Sequence, residues 1–114
     1  MIKTSSYSDT GGRDHNEDFV CISASGVKLC AVVADGLGGR GGGGTASRAA
    51  AELVGATWDG TVSEDSLSEL VQAAHRKVLS LQTQACAMKT TITFLAVNGM
   101  KAAWAHVGDS RIYH

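Results

Sequence analysis

The chain of 114 residues contains no proline and no CxxC pair, no run of charge of either sign, and no apolar block flanked by a basic start. Ten Lys and Arg stand against eleven Asp and Glu, a formal charge of −1, so the clustered basic face that nucleic acid or an anionic membrane would require is missing. The first twenty residues do not read as a secretory signal, and no window approaches the ~18 consecutive apolar residues of a membrane span. A cytoplasmic location is the default expectation. Three cysteines, Cys21, Cys30 and Cys86, are an odd number, and the first two lie in apolar runs. A free, buried thiol behaves as a small hydrophobe, which is the expected state in a reducing compartment. Against the lack of proline stand 14 glycines, seven of them between Gly36 and Gly44, so the excess marks one loop rather than a flexible chain.

What is present supports one modest core, 44 % of the residues being hydrophobic. Asp18 to Ile22 and Val27 to Ala34 are short apolar runs separated by Ser-Ala-Ser-Gly, which predicts two antiparallel strands joined by a turn. The second is apolar at nearly every position after Lys28 and is expected to be a central strand covered on both faces or nearly so. Thr45 to Trp58 predicts a helix capped by Thr45 or Ser47. Ser63 or Asp65 can cap a second helix, in which Leu67, Leu70, Val71, Ala74, Val78 and Leu81 form one buried stripe. Thr90 to Val97, an Asn98-Gly99 turn, and Lys101 to Val107 predict a hairpin, and Arg111 to His114 reads as the start of another strand. Strands, a helix pair, then strands suit an α+β protein with helices on the face of a mainly antiparallel sheet.

Gly36-Leu37-Gly38-Gly39-Arg40-Gly41 satisfies GxGxxG literally, after a predicted strand and before a predicted helix. The dinucleotide reading then fails on context. No second parallel strand ending in an acid follows about twenty residues on, and Asp35 would face the pyrophosphate with like charge. The acids point elsewhere. Glu17 and Asp18 open the first strand, Asp35 closes the second, and Asp109 follows the hairpin. Such acids are commonly solvated turn residues, but acids at adjacent strand ends can also converge on one rim of a sheet. Converging carboxylates repel unless a hard cation neutralises them, and Mg²⁺ or Mn²⁺ is the natural choice. Gly36, without a side chain, leaves its carbonyl free as a further oxygen ligand. His106, inside the Trp104–Val107 stretch, is expected to fill a packing or hydrogen-bonding position, and His15 to lie near the acids without an assigned role.

Four stretches, Arg13-Asp14-His15-Asn16-Glu17-Asp18, Val33-Ala34-Asp35-Gly36-Leu37-Gly38-Gly39, Thr90-Thr91 and His106-Val107-Gly108-Asp109-Ser110-Arg111, together resemble the metal-dependent protein phosphatases of the PPM, or type 2C, family in their bacterial form. They occur in the family's order and span the chain nearly end to end. The resemblance implies an antiparallel β-sandwich flanked by helix pairs, of which residues 1–114 would be a single, incomplete N-terminal portion. It also implies a binuclear Mg²⁺ or Mn²⁺ centre at one end of the sandwich. By the same resemblance Asp35 bridges both metals, Gly36 gives a backbone carbonyl, Glu17 holds one metal through water, Asp18 supports the site, and Asp109 belongs to a third, weaker ion. Arg13 matches the family's phosphate-binding arginine.

The implied reaction is hydrolysis of phosphoserine and phosphothreonine by a hydroxide shared between cations about 3.5–4 Å apart, without a covalent enzyme intermediate. Arg13 would present a bidentate fork to the phosphoryl oxygens. The expected partners are phosphorylated proteins, a partner kinase, and the missing C-terminal half in cis or trans. Arg40, Gly44 and Lys89 depart from the histidine, glutamate and glycine usual in bacterial members. Two further aspartates that complete the binuclear site belong to the family's C-terminal half, so the chain alone is expected to have little activity. The rival expectations are a non-catalytic binding or regulatory relative and a nucleotide-binding glycine-loop protein.

Overall fold

The computed structural model describes residues 2–39 and 41–114, so Arg40 lies outside the described residues. Strands β1 (Asp18–Ser25) and β2 (Lys28–Leu37) form the first hairpin, followed by helices α1 (Gly42–Thr57) and α2 (Glu64–Leu81). Strands β3 (Lys89–Thr90), β4 (Ile92–Asn98) and β5 (Lys101–Val107) complete an antiparallel sheet ordered β1-β2-β4-β5, with β3 beside the far end of β2. The α+β class and the antiparallel pairing agree with the sequence reading.

Alternation along β2 fixes what each face does. Cys30, Val32 and Ala34 turn inward and are buried with Phe94 and Ala96 of β4 against Ala46, Ala50, Ala51 and Val54 of α1. Burial, then the nearby Cys21, pushes the Cys30 thiol up to about 11. All three cysteines are free. The opposite face carries an apolar row, Ile22-Ala31-Leu95-Trp104, and a mixed one, Val20-Val33-Thr93-His106, across the register, and it is left partly open. Val33 is 44 % exposed and Trp104 54 %, so β2 is central but covered fully on one face only.

Within this face Thr93 is buried while its Oγ1 has no hydrogen-bond partner. Thr93→Val replaces an unsatisfied hydroxyl by a methyl of similar shape. It is expected to raise stability by about 1 kcal/mol, read as a higher melting temperature, and a lower one would contradict the assignment.

Helix α1 begins at Gly42, three residues before the expected start, and Gly41 precedes it at φ 78° without any side-chain cap. Thr45 and Ser47 are therefore interior residues rather than caps. Packing overrides propensity here: a Cβ on Gly42 would strike Cys86 Sγ, and one on Gly43 would fall on Glu17, so the first turn needs glycine to reach the end of β2. Helix α2 starts as expected, Ser63 Oγ accepting from Ser66 N at 3.1 Å. Leu67, Leu70, Ala74 and Val78 are buried, and Val71 and Leu81 are partly so.

The second hairpin forms, but Asn98 pairs with Lys101, so the two-residue loop is Gly99-Met100. Glycine at φ 62° takes the first loop position, which requires a positive φ. Arg111 to His114 form no strand: β5 is the edge of the sheet, and no strand among the described residues pairs with them. His106 is exposed on the open face rather than packed.

Candidate functional site

Asp18 and Asp35 are direct cross-strand partners on β1 and β2. Asp35 shares the parity of Val33, so both carboxylates leave the sheet on the face turned away from the helices. Strand β2 runs on to Leu37, which places Asp35 two residues inside the strand rather than at its end. Like charges directly opposite in an antiparallel pair are destabilising. Partial burial, the hydrogen bond and charge of Asp18, and the charge of Asp109 all raise the Asp35 carboxyl above its ordinary value, against the opposing pull of Arg13.

The backbone around the pair is tied down from several sides. Asn16 Oδ1 accepts from Asp18 N at 3.0 Å, an Asx turn that sets the entry to β1, and Gly36 N donates to Glu17 O at 3.0 Å. The same Glu17 carbonyl accepts from the hydroxyl of fully buried Ser47 at 2.7 Å, joining α1 to the strand entry. Glu17 Oε2 is buried without a partner and lies over Gly43 in the first turn of α1.

Arg13, Asp14, His15, Asn16, Glu17 and Asp18 line one side of a polar cleft of about 440 Å³, and Asp35, Gly36 and Leu37 line the other. Arg13, Glu17, Asp18, Asp35 and Gly36 thus gather in one place. Asp109, in the Gly108-Asp109 bend after β5, lies outside this lining and reaches Asp35 through its charge. Asp9 also lines the cleft and escaped the sequence reading; the Gly11 amide, then the Tyr7 hydroxyl, lower its pKa. A larger open depression along α1, about 750 Å³, holds Arg48, Glu52 and Lys77 but no acid pair.

The donor set suits a hard divalent cation: opposed aspartates, an orphaned buried carboxylate oxygen, and a glycine at the rim. It is also short. Among the described residues no three His, Cys, Asp or Glu side chains group closely enough to hold a metal ion. No helix among the described residues is long and apolar enough to cross a membrane.

Comparison with known proteins follows the same lines. The family model for protein phosphatase 2C matches residues 9–114. Protein phosphatase PhpP of Streptococcus pneumoniae is 32 % identical, over 88 % of this chain and 44 % of its own length. Among solved structures, the S. agalactiae serine/threonine phosphatase is similar with a TM-score of 0.68 and 29 % identity, covering 87 % of this chain and 45 % of that one. The PPM Ser-Thr phosphatase MsPP from Mycobacterium smegmatis, solved in complex with cacodylate, gives 0.66 and 31 %, covering 86 % and 41 %. The chain spans less than half the length of each of these relatives. With the family motif match running over nearly the whole sequence and the antiparallel scaffold matching those structures, the chain belongs to the protein phosphatase 2C, or PPM, family.

Proposed function

We propose that residues 1–114 are part of one metal-dependent protein serine/threonine phosphatase domain and contribute the phosphate-binding arginine and part of the metal-binding set. The observation that carries this reading is the direct opposition of Asp18 and Asp35 in a cleft that Arg13 also lines. Asp35 and Asp18 would hold Mg²⁺ or Mn²⁺, with the Gly36 carbonyl and, through water, Glu17. Asp109 would serve a third, weaker ion. When bound, such cations supply an activated water and neutralise the charge of a phosphoryl group.

The chain's own residues do the positioning. Arg13 binds and orients the phosphoryl oxygens, its planar fork matching them two at a time. The carboxylate pair draws cations in because each aspartate alone is disfavoured beside the other. Substrates would be phosphoserine and phosphothreonine proteins, set against a partner kinase, and three free cysteines fit a cytoplasmic setting. Hydrolysis of an aryl phosphate by a full-length protein carrying this segment is expected to require Mn²⁺ and to stop with a chelator. A rate that persists without metal would refute the reading.

One observation favours a second reading, a non-catalytic relative: no three metal-ligating side chains group together among the described residues. That relative would show no metal-dependent hydrolysis in the same assay, even in full-length form.

A further inference from the structure

The ladder between β2 and the strands beside it breaks its rule at one pair. Val33 pairs with Thr93, and Gly36 with Thr90, so Asp35 stands opposite Thr91 in an unbroken register. A hydrogen-bonded antiparallel pair exchanges two N–H···O=C bonds. Here only one is of that kind, Thr91 N donating to Asp35 O at 2.9 Å. Asp35 N donates instead to the Thr91 hydroxyl, Oγ1, at 3.1 Å. The Thr91 carbonyl is occupied by the Thr90 hydroxyl at 2.7 Å.

The Thr91 hydroxyl has a second partner, Ser110 Oγ, at 2.9 Å. Ser110 follows Asp109 directly, and Gly108, at φ 104°, brings this bend so close that a Cβ there would lie 2.6 Å from Thr91 Cγ2. One side chain therefore touches the main chain of Asp35 on one side and the segment that carries Asp109 on the other. A backbone carbonyl in place of this hydroxyl would complete the ladder equally well but could not donate or rotate toward Ser110.

From this geometry we infer that Thr91 is a positioning residue: its hydroxyl fixes Asp35 and, through Ser110, locks the Asp109 bend to the same strand end. The inference rests on the proposed metal-binding role of Asp35 and deepens it. Partners of metal-binding residues that hold them from behind typically affect metal affinity by 10–100-fold when removed. Valine matches threonine in shape and lacks the hydroxyl, and serine keeps the hydroxyl without the methyl.

Amide hydrogen exchange in the metal-free protein, followed by NMR, together with Mn²⁺ affinity from the EPR signal of the free ion, tests the inference. Thr91→Val is expected to speed exchange at the Asp35 amide about tenfold while core amides such as Val32 keep their protection, and to weaken Mn²⁺ binding by about tenfold. Thr91→Ser is expected to restore both. Ser110→Ala should leave the Asp35 amide protected and still weaken Mn²⁺ binding with little change in melting temperature, a pattern that a purely structural role would not give. Should Thr91→Val not fold, Thr91→Ser and Ser110→Ala decide the matter by the same two readouts. Unchanged Asp35 exchange in Thr91→Val, or Mn²⁺ affinity that Thr91→Ser fails to restore or Ser110→Ala fails to lower, overturns the inference. If the parent protein binds no Mn²⁺, the metal reading of Asp35 fails, and with it the purpose assigned to Thr91. The exchange data then still show whether the hydroxyl holds the strand end.

Discussion

Gly43→Ala is expected to destabilise the protein by about 1–3 kcal/mol, although alanine is the better helix former by nearly 1 kcal/mol. The added methyl would fall on Glu17 Oε2, and 2.8 Å from the Gly36 carbonyl carbon. The Glu17 carboxylate is the free end of a flexible side chain and can swing aside, but the Gly36 carbonyl carbon is backbone and cannot withdraw at low cost. Overpacking therefore outweighs propensity. Gly44→Ala, at a position where a Cβ would meet nothing within 4 Å, is expected to change the sign and stabilise by up to about 1 kcal/mol. For a domain of this size each kcal/mol moves the melting temperature by about 4–8 °C, so adjacent substitutions should shift the thermal transition in opposite directions. A rise in both would contradict the close approach of α1 to the end of β2. The same substitution would displace Glu17, tying the glycine run to the cleft through packing rather than through phosphate contacts.

Asp35→Asn carries the largest expected functional effect. Removing the carboxylate proposed to hold the metal should lower Mn²⁺-dependent hydrolysis by a full-length protein more than about a hundredfold, since losing even an indirect partner costs 10–100-fold in metal affinity. Stability should move the other way. The Asp35 carboxyl is raised in the folded protein, first by burial and then by Asp18. Its contribution to metal-free stability is therefore full below the ordinary aspartate pKa of about 3.9 and is lost as pH rises through the raised value. The neutral amide does not undergo that loss. Thermal denaturation with a chelator present is expected to show the variant gaining on the wild type as pH rises from about 4, until it is the more stable at neutral pH. A wild type that gains on the variant over that range would mean that the aspartate pair does not repel.

Much of the scaffold was legible because periodicity is a local signal. The stripe Leu67, Leu70, Ala74 and Val78, the Ser63 cap and the existence of both hairpins follow from spacing and turn residues, although the second turn falls one residue later than Asn98-Gly99. The start of α1 was not, because Gly42 and Gly43 are poor helix formers chosen by a contact with Glu17 and Cys86 that no local pattern reveals. The end of β2 was missed in the same way: Asp35 and Gly36 look like strand terminators, yet β3, more than fifty residues away, pairs with Gly36 and Leu37 and carries the strand onward. The strand expected over Arg111 to His114 needs a pairing neighbour, and none of the strands among the described residues supplies one.

For the cleft, the acids could be named from residue type and order and Arg13 from the family resemblance, and the structure gathers Arg13, Glu17, Asp18, Asp35 and Gly36 around it. What sequence could not supply is register. That Asp18 faces Asp35 directly is a consequence of Ser25 pairing with Lys28 seven residues away, and a slip of one position would send the two carboxylates to opposite faces. Thr90-Thr91 stood out as a motif, but the replacement of a ladder carbonyl by a hydroxyl depends on side-chain rotation and on Ser110 arriving from the far end of the hairpin. The glycine run likewise reads as a phosphate cradle until Gly36 and Gly43 are seen packed against each other.

The central claim is that Asp18 and Asp35 mark a divalent cation site. Paramagnetic broadening of amide NMR signals during a Mn²⁺ titration of the 114-residue protein tests it most directly, because the ion reports its own position. The account predicts weak binding, with broadening strongest at Glu17, Asp18, Asp35 and Gly36 and removed by Asp35→Asn. Broadening centred elsewhere, or none at these residues at millimolar Mn²⁺, would contradict it.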